Sequence, residues 1–383
     1  MSELDELRKK IDDIDSQMTA LFEKRMDATK KIGEYKKKNG IPVFDGAREA
    51  EVLAKKEAML KNPYLRTDVK DFFSAIMAIS RRQQRELTAD ENSRALFEKF
   101  RGDIKTAREP RSAPCVVYQG VPGAYADEAA HAFFGDGARY DTRETWRGAF
   151  EALRRCDADY AVVPIENNST GSINGVYDLL SDFGFYVVGE QTVKVEHCLC
   201  APRMAELSGI RDVYSHEQGF FQCAEYIEKN GFRENAMLNT AAAAKYVEEQ
   251  NDASKAAICS RRAAELYGLS VLAAGINTSG ENYTRFFIVS PEMEIRKGSD
   301  KISVMFTLTN EPGALSRVMS LIALHGLNLS KLESRPTEGR GWEYRFFADI
   351  GGSLKDGAMD SVLYEMLENT LSLRVLGNYV KGA

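Results

Sequence analysis

From Leu4 the apolar residues recur in alternating steps of three and four. One row reads Leu4, Ile11, Met18, Arg25, Ile32; the other reads Leu7, Ile14, Leu21, Ala28, Tyr35. Such a heptad seam predicts one long helix packed against other helices. Pro42 should end it, and Asp45 should cap a second helix. Asn62-Pro63 stops that helix, and a third begins near Thr67, burying Val69, Phe72, Phe73, Ile76 and Ile79. The charged stretch 88–112 follows and closes in Glu109-Pro110-Arg111-Ser112-Ala113-Pro114, the composition of a linker. Beyond it short apolar runs alternate with helical stretches. Strands are expected at Cys115–Tyr118, Tyr160–Ile165, Tyr186–Val188, Asp212–Ser215, Ala256–Cys259 and Arg285–Val289, an α/β pattern. After a charged hinge, Glu294–Asp300, the order is strand 302–309, helix 313–325, strand 327–334, strand 342–350, helix 354–371 and strand 373–380. That is βαββαβ, a ferredoxin-like sandwich. The fold class is therefore multidomain: helical residues 1–90, a linker 91–113, an α/β domain 114–291 and a C-terminal module 300–383.

The informative residues are those that break the pattern. Arg25 falls on the helical seam, where an unpaired charge is costly, so it needs an anion from the protein or from a ligand. Lys36, eleven residues on, returns to within roughly 20° of the same face. Arg8 lies about 100° off that face and roughly 25 Å from Arg25 along the axis. It is either a surface charge or a contribution to the site of a second copy. Asp45, Arg48 and Glu49 crowd the first turn of the second helix, and Ser80 and Gln84 continue the apolar stripe of the third. This polar box inside a bundle suits a small dianion.

LRKKID, LFEKR, IGEYKKK, the D-x-x-R-E of Asp45 to Glu49 and S-x-x-x-Q closely resemble the all-helical chorismate mutases. That resemblance implies a helix-swapped homodimer and a site built from Arg8 of the partner with Arg25, Lys36, Asp45, Arg48, Glu49, Ser80 and Gln84. It implies the Claisen rearrangement of chorismate to prephenate, a reaction without cofactor or nucleophile. In it Arg8 and Arg25 clamp two carboxylates, and Lys36 and Gln84 donate to the ether oxygen. Glu49, with Asp45 nearby, takes the ring hydroxyl, and Arg48 and Ser80 complete the shell.

In the α/β region three turns follow strands and open helices: G-V-P-G-A-Y at 120–125, E-N-N-S-T-G-S at 166–172 and S-H-E-Q-G at 215–219. Such turns offer backbone N–H groups to anions. No G-x-G-x-x-G or Walker sequence is present, which argues against nucleotides. Together with V-P-I-E-N, S-H-x-Q, N-T-A-A-A and Thr284-Arg285-Phe286, these elements resemble prephenate dehydratases over about 114–291. The resemblance implies two α/β lobes around a cleft and the conversion of prephenate to phenylpyruvate, with Thr284 activating the departing hydroxyl. Asn167, Ser169, Ser215 and Gln218 are candidate substrate contacts. Glu166 and His216 either tune protonation or cap local structure. Arg285 faces inward to a carboxylate or outward as a brace, because alternation along the strand allows both. Two departures from the family pattern stand out: Ala126 where Ser is usual, and Glu217 where Pro is usual.

The C-terminal module carries Glu311-Pro312-Gly313-Ala314-Leu315 and Glu333-Ser334-Arg335-Pro336, which resemble the ligand motifs of ACT regulatory domains. The resemblance implies L-phenylalanine bound between paired modules by Gly313, Ala314, Leu315, Asn328, Glu333, Ser334, Arg335 and Pro336. The whole reading is a bifunctional chorismate mutase–prephenate dehydratase inhibited by L-phenylalanine. Its rivals are the same scaffold acting on arogenate, or a ligand sensor with an inactive dehydratase domain; a third, an exported solute-binding protein, is opposed by the N-terminus.

Composition adds exclusions. Lys and Arg number 51 against 57 Asp and Glu, a net charge of −6, so no basic field draws nucleic acid or membranes. Four His and six scattered Cys show no zinc-ligand spacing, so neither a metal nor a disulfide framework is expected. MSELDELRKK lacks a signal-peptide core and no apolar run spans a bilayer, which predicts a cytoplasmic protein. Cys198 and Cys200 should share one strand face as small hydrophobes.

Overall fold

The computed structural model describes residues 2–41, 43, 45–88, 95, 97–102, 108–336 and 344–382. They fall into two compact units, divided after Gly102. None of the described helices is long and apolar enough to cross a membrane.

The first unit is helical. Helix α1 (Glu3–Asn39) opens with a reciprocal cap between Ser2 and Asp5 and closes at Gly40, which takes the left-handed conformation at φ 64°. At 37 residues it is about 55 Å long. The expected break at Pro42 lies outside the described residues. Helix α2 (Gly46–Ala58) is capped by Asp45, whose side chain accepts the Arg48 N–H. Helix α3 (Arg66–Thr88) lies along α1. Contact with α3 buries Met26, Thr29 and Gly33 of α1, a stripe displaced from the heptad rows. The rows themselves face outward: Leu4, Leu7, Ile11, Ile14, Met18 and Leu21 are between 44% and 64% exposed. Phe72, expected in the core, is also exposed. A seam predicted to be buried is therefore uncovered within one chain.

Among the described residues the second unit holds three sheets. Strands β1 (Cys115–Gln119), β2 (Arg139–Arg143) and β3 (Tyr160–Asn167) pair in parallel. The short β4 (Gly171–Ser172) pairs with β3, and β5 (Tyr186–Lys194) forms an edge. The chain then leaves for a second lobe of β6 (Cys198–Ala201), β7 (Asp212–Ser215), β8 (Arg233–Ala236), β9 (Lys255–Cys259) and β10 (Ser270–Ala274). It returns as β11 (Tyr283–Ser290), inserted antiparallel between β3 and β5. Sheet orders are β2-β1-β3-β11-β5 and β10-β6-β9-β7-β8. Helices α4 (Tyr125–Phe134), α5 (Trp146–Arg154) and α6 (Asn174–Phe183) cover the first lobe; α7 (Glu217–Gln222), α8 (Ala224–Asn230), α9 (Thr240–Gln250) and α10 (Arg261–Leu266) belong to the second. Cys198 and Cys200 do share one core, with Cys259.

The C-terminal module runs β12 (Lys301–Thr307), α11 (Ala314–Leu324), β13 (Leu329–Pro336), β14 (Tyr344–Gly351), α12 (Gly357–Asn369), β15 (Ser372–Tyr379), the expected βαββαβ order. Its sheet order is β13-β14-β12-β15. Phe347, Leu376 and Tyr379 of this module enter the same core as Val187 and Phe287 of the first lobe. Gly377 has no room for a Cβ because the Val187 carbonyl lies against it. The presumed hinge is likewise anchored: Glu294 is fully buried, accepts the Tyr160 hydroxyl at 2.6 Å and pairs with Arg108 at 3.2 Å. Arg111, placed in the linker by composition, pairs with Asp159 at 2.9 Å.

Candidate active sites

Arg25 stands where two stripes of α1 meet. Thr29, Gly33 and Met26, buried against α3, lie about 40°, 80° and 100° to one side of it. Exposed Ile32, Leu21 and Ala28 lie about 20° to 60° to the other. Its guanidinium donates to Ser80 Oγ and reaches the Ile76 carbonyl at 3.5 Å, while Ser80 donates to that carbonyl at 2.8 Å. Burial pulls the Arg25 pKa below its ordinary value, and among the described residues no carboxylate offsets it. The internal salt bridge that sequence left open is absent among these residues. Lys36 likewise meets a carbonyl, that of Val43 at 2.6 Å. Gln84 is buried with Oε1 unpartnered among the described residues.

Glu49 of α2 pairs with Arg81 of α3, a residue the sequence reading missed. Its signal was its place: one residue beyond Ser80, it turns off the α3 stripe toward α2. Arg48 instead pairs with Glu51 at 2.6 Å on the solvent side, and Arg8 is exposed. The chain by itself thus gathers Arg25, Ser80, Gln84 and Lys36 along the α1–α3 face and does not bring Arg8 or Arg48 to them. Gly33 makes room for Gln84: an added Cβ would stand 3.0 Å from Gln84 Cγ. Gly33→Ala should displace Gln84 and so lower any turnover at the Arg25 site about tenfold, while helix propensity itself improves by about 1 kcal/mol. Steady-state kinetics beside a thermal melt checks both directions.

In the second unit, antiparallel pairing sets Thr284 opposite Asn167 and Arg285 opposite Glu166. Asn167 Oδ1 accepts the backbone N–H groups of Ser169 at 2.9 Å and Thr170 at 3.1 Å, which fixes the orientation of its amide. Nδ2 must then donate, and it reaches Thr284 Oγ1 at 2.9 Å, Asn282 Oδ1 at 2.7 Å and the Tyr283 carbonyl at 3.1 Å. The Thr284 hydroxyl therefore accepts from Asn167, and among the described residues its own proton has no acceptor. A buried hydroxyl with an undirected proton is suited to donate to a leaving group. Ser169 donates to Asn167 at 2.6 Å and belongs to this cluster.

Other expected contacts are placed differently. Ser215 is fully buried and donates to the Ile258 carbonyl at 2.8 Å. His216 caps α7 by accepting the Gln218 N–H at 3.1 Å, and Gln218 is exposed. Phe286 packs in the first-lobe core. The G-V-P-G turn does not hold out its N–H groups: Gly123 N donates to Asp127 at 3.1 Å, and its Cα lies so near Ala263 that a Cβ would be 2.9 Å away. Ser260 and Tyr267 of the second lobe donate to carbonyls of the same turn, each at 2.9 Å. The turn joins the lobes. Ala126 sits in the first-lobe core, where a hydroxyl would need a partner. Arg285 turns away from Thr284 toward Glu190 at 2.9 Å, Asp349 at 2.6 Å and Glu166 at 3.1 Å. Of the two directions the sequence left open for Arg285, it takes the one toward the C-terminal module, and Glu166 faces the same way.

Within that module Gly313 takes φ 81°, a left-handed turn that opens α11 at Ala314 and Leu315. Asn328 is exposed. Alternation along β13 divides E-S-R-P: Glu333 accepts from Ser172 at 2.6 Å and Arg335 donates to Asp178 at 2.8 Å, while Ser334 and Pro336 are exposed.

Family models match in the same order: "Chorismate mutase type II" over residues 7–85, "Prephenate dehydratase" over 116–294 and "ACT domain" over 302–364. A bifunctional chorismate mutase/prephenate dehydratase of Aquifex aeolicus is 33% identical over 384 residues, covering 100% of this chain and 99% of that one. The chain belongs to the bifunctional chorismate mutase/prephenate dehydratase family. Its helical unit is the chorismate mutase segment, its two-lobed body the prephenate dehydratase segment and its βαββαβ module the ACT segment. An arogenate dehydratase/prephenate dehydratase of Arabidopsis thaliana is 36% identical over 69% of the chain and 72% of its own length. A prephenate dehydratase structure from Arthrobacter aurescens, in complex with L-Phe, aligns at TM-score 0.63 and 29% identity over 70% of this chain and 90% of that one.

Proposed function

We propose that this bifunctional enzyme rearranges chorismate to prephenate in the helical unit and converts prephenate to phenylpyruvate beside Thr284, under inhibition by L-phenylalanine at the ACT segment. The observation that carries the first half is a partly buried Arg25 with no carboxylate among the described residues. The rearrangement needs a compact diaxial conformer and stabilisation of charge growing on the ether oxygen. Arg25 supplies a bidentate donor for one carboxylate, and Lys36 and Gln84 supply donors for the ether oxygen. Glu49, oriented by Arg81, receives the ring hydroxyl. Asp45 holds α2 in place as its cap.

The second carboxylate needs a cation that, among the described residues, the chain does not place there. Arg8 cannot reach it along its own straight helix, and the outward apolar rows on the same stretch of α1 call for another helix. A second copy satisfies both, which makes the enzyme at least a homodimer with mutase sites shared between chains. Arg8→Ala and Arg25→Ala chains, each inactive alone, should recover about a quarter of native mutase activity when mixed and re-equilibrated, because half the dimers then hold one complete site. No recovery on mixing would place Arg8 outside the site.

In the dehydratase segment, loss of carbon dioxide and hydroxide is driven by aromatisation. Thr284, held by Asn167, donates to the departing oxygen. The deciding assay is formation of phenylpyruvate from chorismate by the purified full chain, with and without L-phenylalanine. Prephenate bound without turnover would make the body a sensor. The Arabidopsis relative's name gives arogenate a place as a competing substrate, and turnover of each acid separates the two.

A further inference from the structure

Behind the Thr284–Asn167 pair lies a cluster of six buried or half-buried charges. Three are cations, Arg285, Lys301 and Lys331, and three are carboxylates, Glu166, Glu190 and Asp349. Arg285, Glu166 and Glu190 come from the dehydratase lobe; Lys301, Lys331 and Asp349 come from β12, β13 and β14 of the ACT segment. Arg285 Nη1 bridges Glu190 and Asp349, Lys301 donates to Glu190, and Lys331 donates to Glu166. Ser303 donates to Asp349 at 2.6 Å, and the Gly382 N–H donates to Glu190 at 2.8 Å. The charges balance, so removing one member strands another away from water. Burial alone would lower the Arg285 pKa; Asp349 and Glu166 outweigh it and hold the group firmly ionised.

The position of this cluster is what gives it a role. On β11 Arg285 follows Thr284, and on β3 Glu166 precedes Asn167, so each strand carries one reacting-site residue on one face and one network residue on the other. Lys331 also donates to Ser172 Oγ at 3.0 Å, and Ser172 donates to Glu333 of the E-S-R-P motif at 2.6 Å. β13 therefore grips both ends of the 166–172 loop whose Asn167 holds Thr284. Any shift of β13 would be carried through Lys331 to Glu166, the neighbour of Asn167 on β3.

We propose that Arg285 and Glu166 are positioning residues, and that Lys331 is the connection by which the ACT segment acts on Thr284. The proposal rests on the dehydratase and effector reading above. Two variants of the full chain test it. Arg285→Gln should lower dehydratase kcat about tenfold or more with KM for prephenate within about twofold, and Arg285→Lys should recover part of the loss. A rise in KM at unchanged kcat would make Arg285 a substrate ligand and overturn the proposal. Lys331→Met, at the rim, should bind L-phenylalanine by calorimetry within about threefold of the native affinity, yet lose at least half of the inhibition at saturation. Unchanged inhibition with intact binding would remove Lys331 from the connection. Should the native chain show no inhibition, the effector assignment fails, and the kcat–KM split of Arg285→Gln still decides the positioning role.

Discussion

Thr284→Ala should lower dehydratase turnover by about 10²–10³-fold and leave chorismate mutase turnover unchanged. That loss corresponds to about 3–4 kcal/mol of transition-state stabilisation, the size expected for one well-placed donor. The fold should tolerate it. Asn167 Nδ2 keeps Asn282 Oδ1 at 2.7 Å and the Tyr283 carbonyl at 3.1 Å, so no buried donor is abandoned. Thr284→Ser, which keeps the hydroxyl, should retain most of the activity. Phenylpyruvate formation from prephenate measures the effect, and chorismate consumption by the same preparation serves as the internal reference. Near-native dehydratase turnover in the Ala variant would show that another group activates the leaving hydroxyl.

Arg25→Ala should lower mutase turnover by about 10³-fold without lowering the melting temperature. The two expectations share one cause. Arg25 is partly desolvated and lacks a carboxylate partner among the described residues, so in the proposed role it would contribute binding energy for a dianion at some cost to the empty fold. Ser80 keeps its bond to the Ile76 carbonyl at 2.8 Å after truncation. A large drop in melting temperature would indicate that Arg25 is structural, and unimpaired chorismate turnover would remove it from the site. Dehydratase activity of the same variant should stay native, since Thr284 lies in the other unit.

Local pattern was enough for much of this molecule. The alternation of three and four apolar steps specified α1, and Gly and Pro at strand ends located the βαββαβ strands to within a few residues. The misfit of Arg25 among Leu and Ile pointed to an anion before any fold was known. Thr284 could be named as a candidate because its motif is contiguous. Arg81 could not, because its relation to Glu49 spans 32 positions and exists only once α2 lies on α3.

Periodicity says which residues share a face and is silent on what covers that face. The heptad rows of α1 were correct as a stripe, yet α3 packs on the neighbouring stripe of Met26, Thr29 and Gly33. Arg285 was open to either side of its strand. The docking of the ACT segment settled it, by placing Asp349 and Lys301 around a lobe whose own sequence ends before both. Ser215 and the Gly123 turn looked open from sequence; in the fold Ser215 donates to the Ile258 carbonyl and the turn packs on Ala263. Sequence by itself determined the elements, their order and the residue types able to do the chemistry, because these follow from short-range sterics and hydrophobic spacing. Tertiary structure alone decided which charges meet, because a buried ion chooses its partners by proximity across the chain.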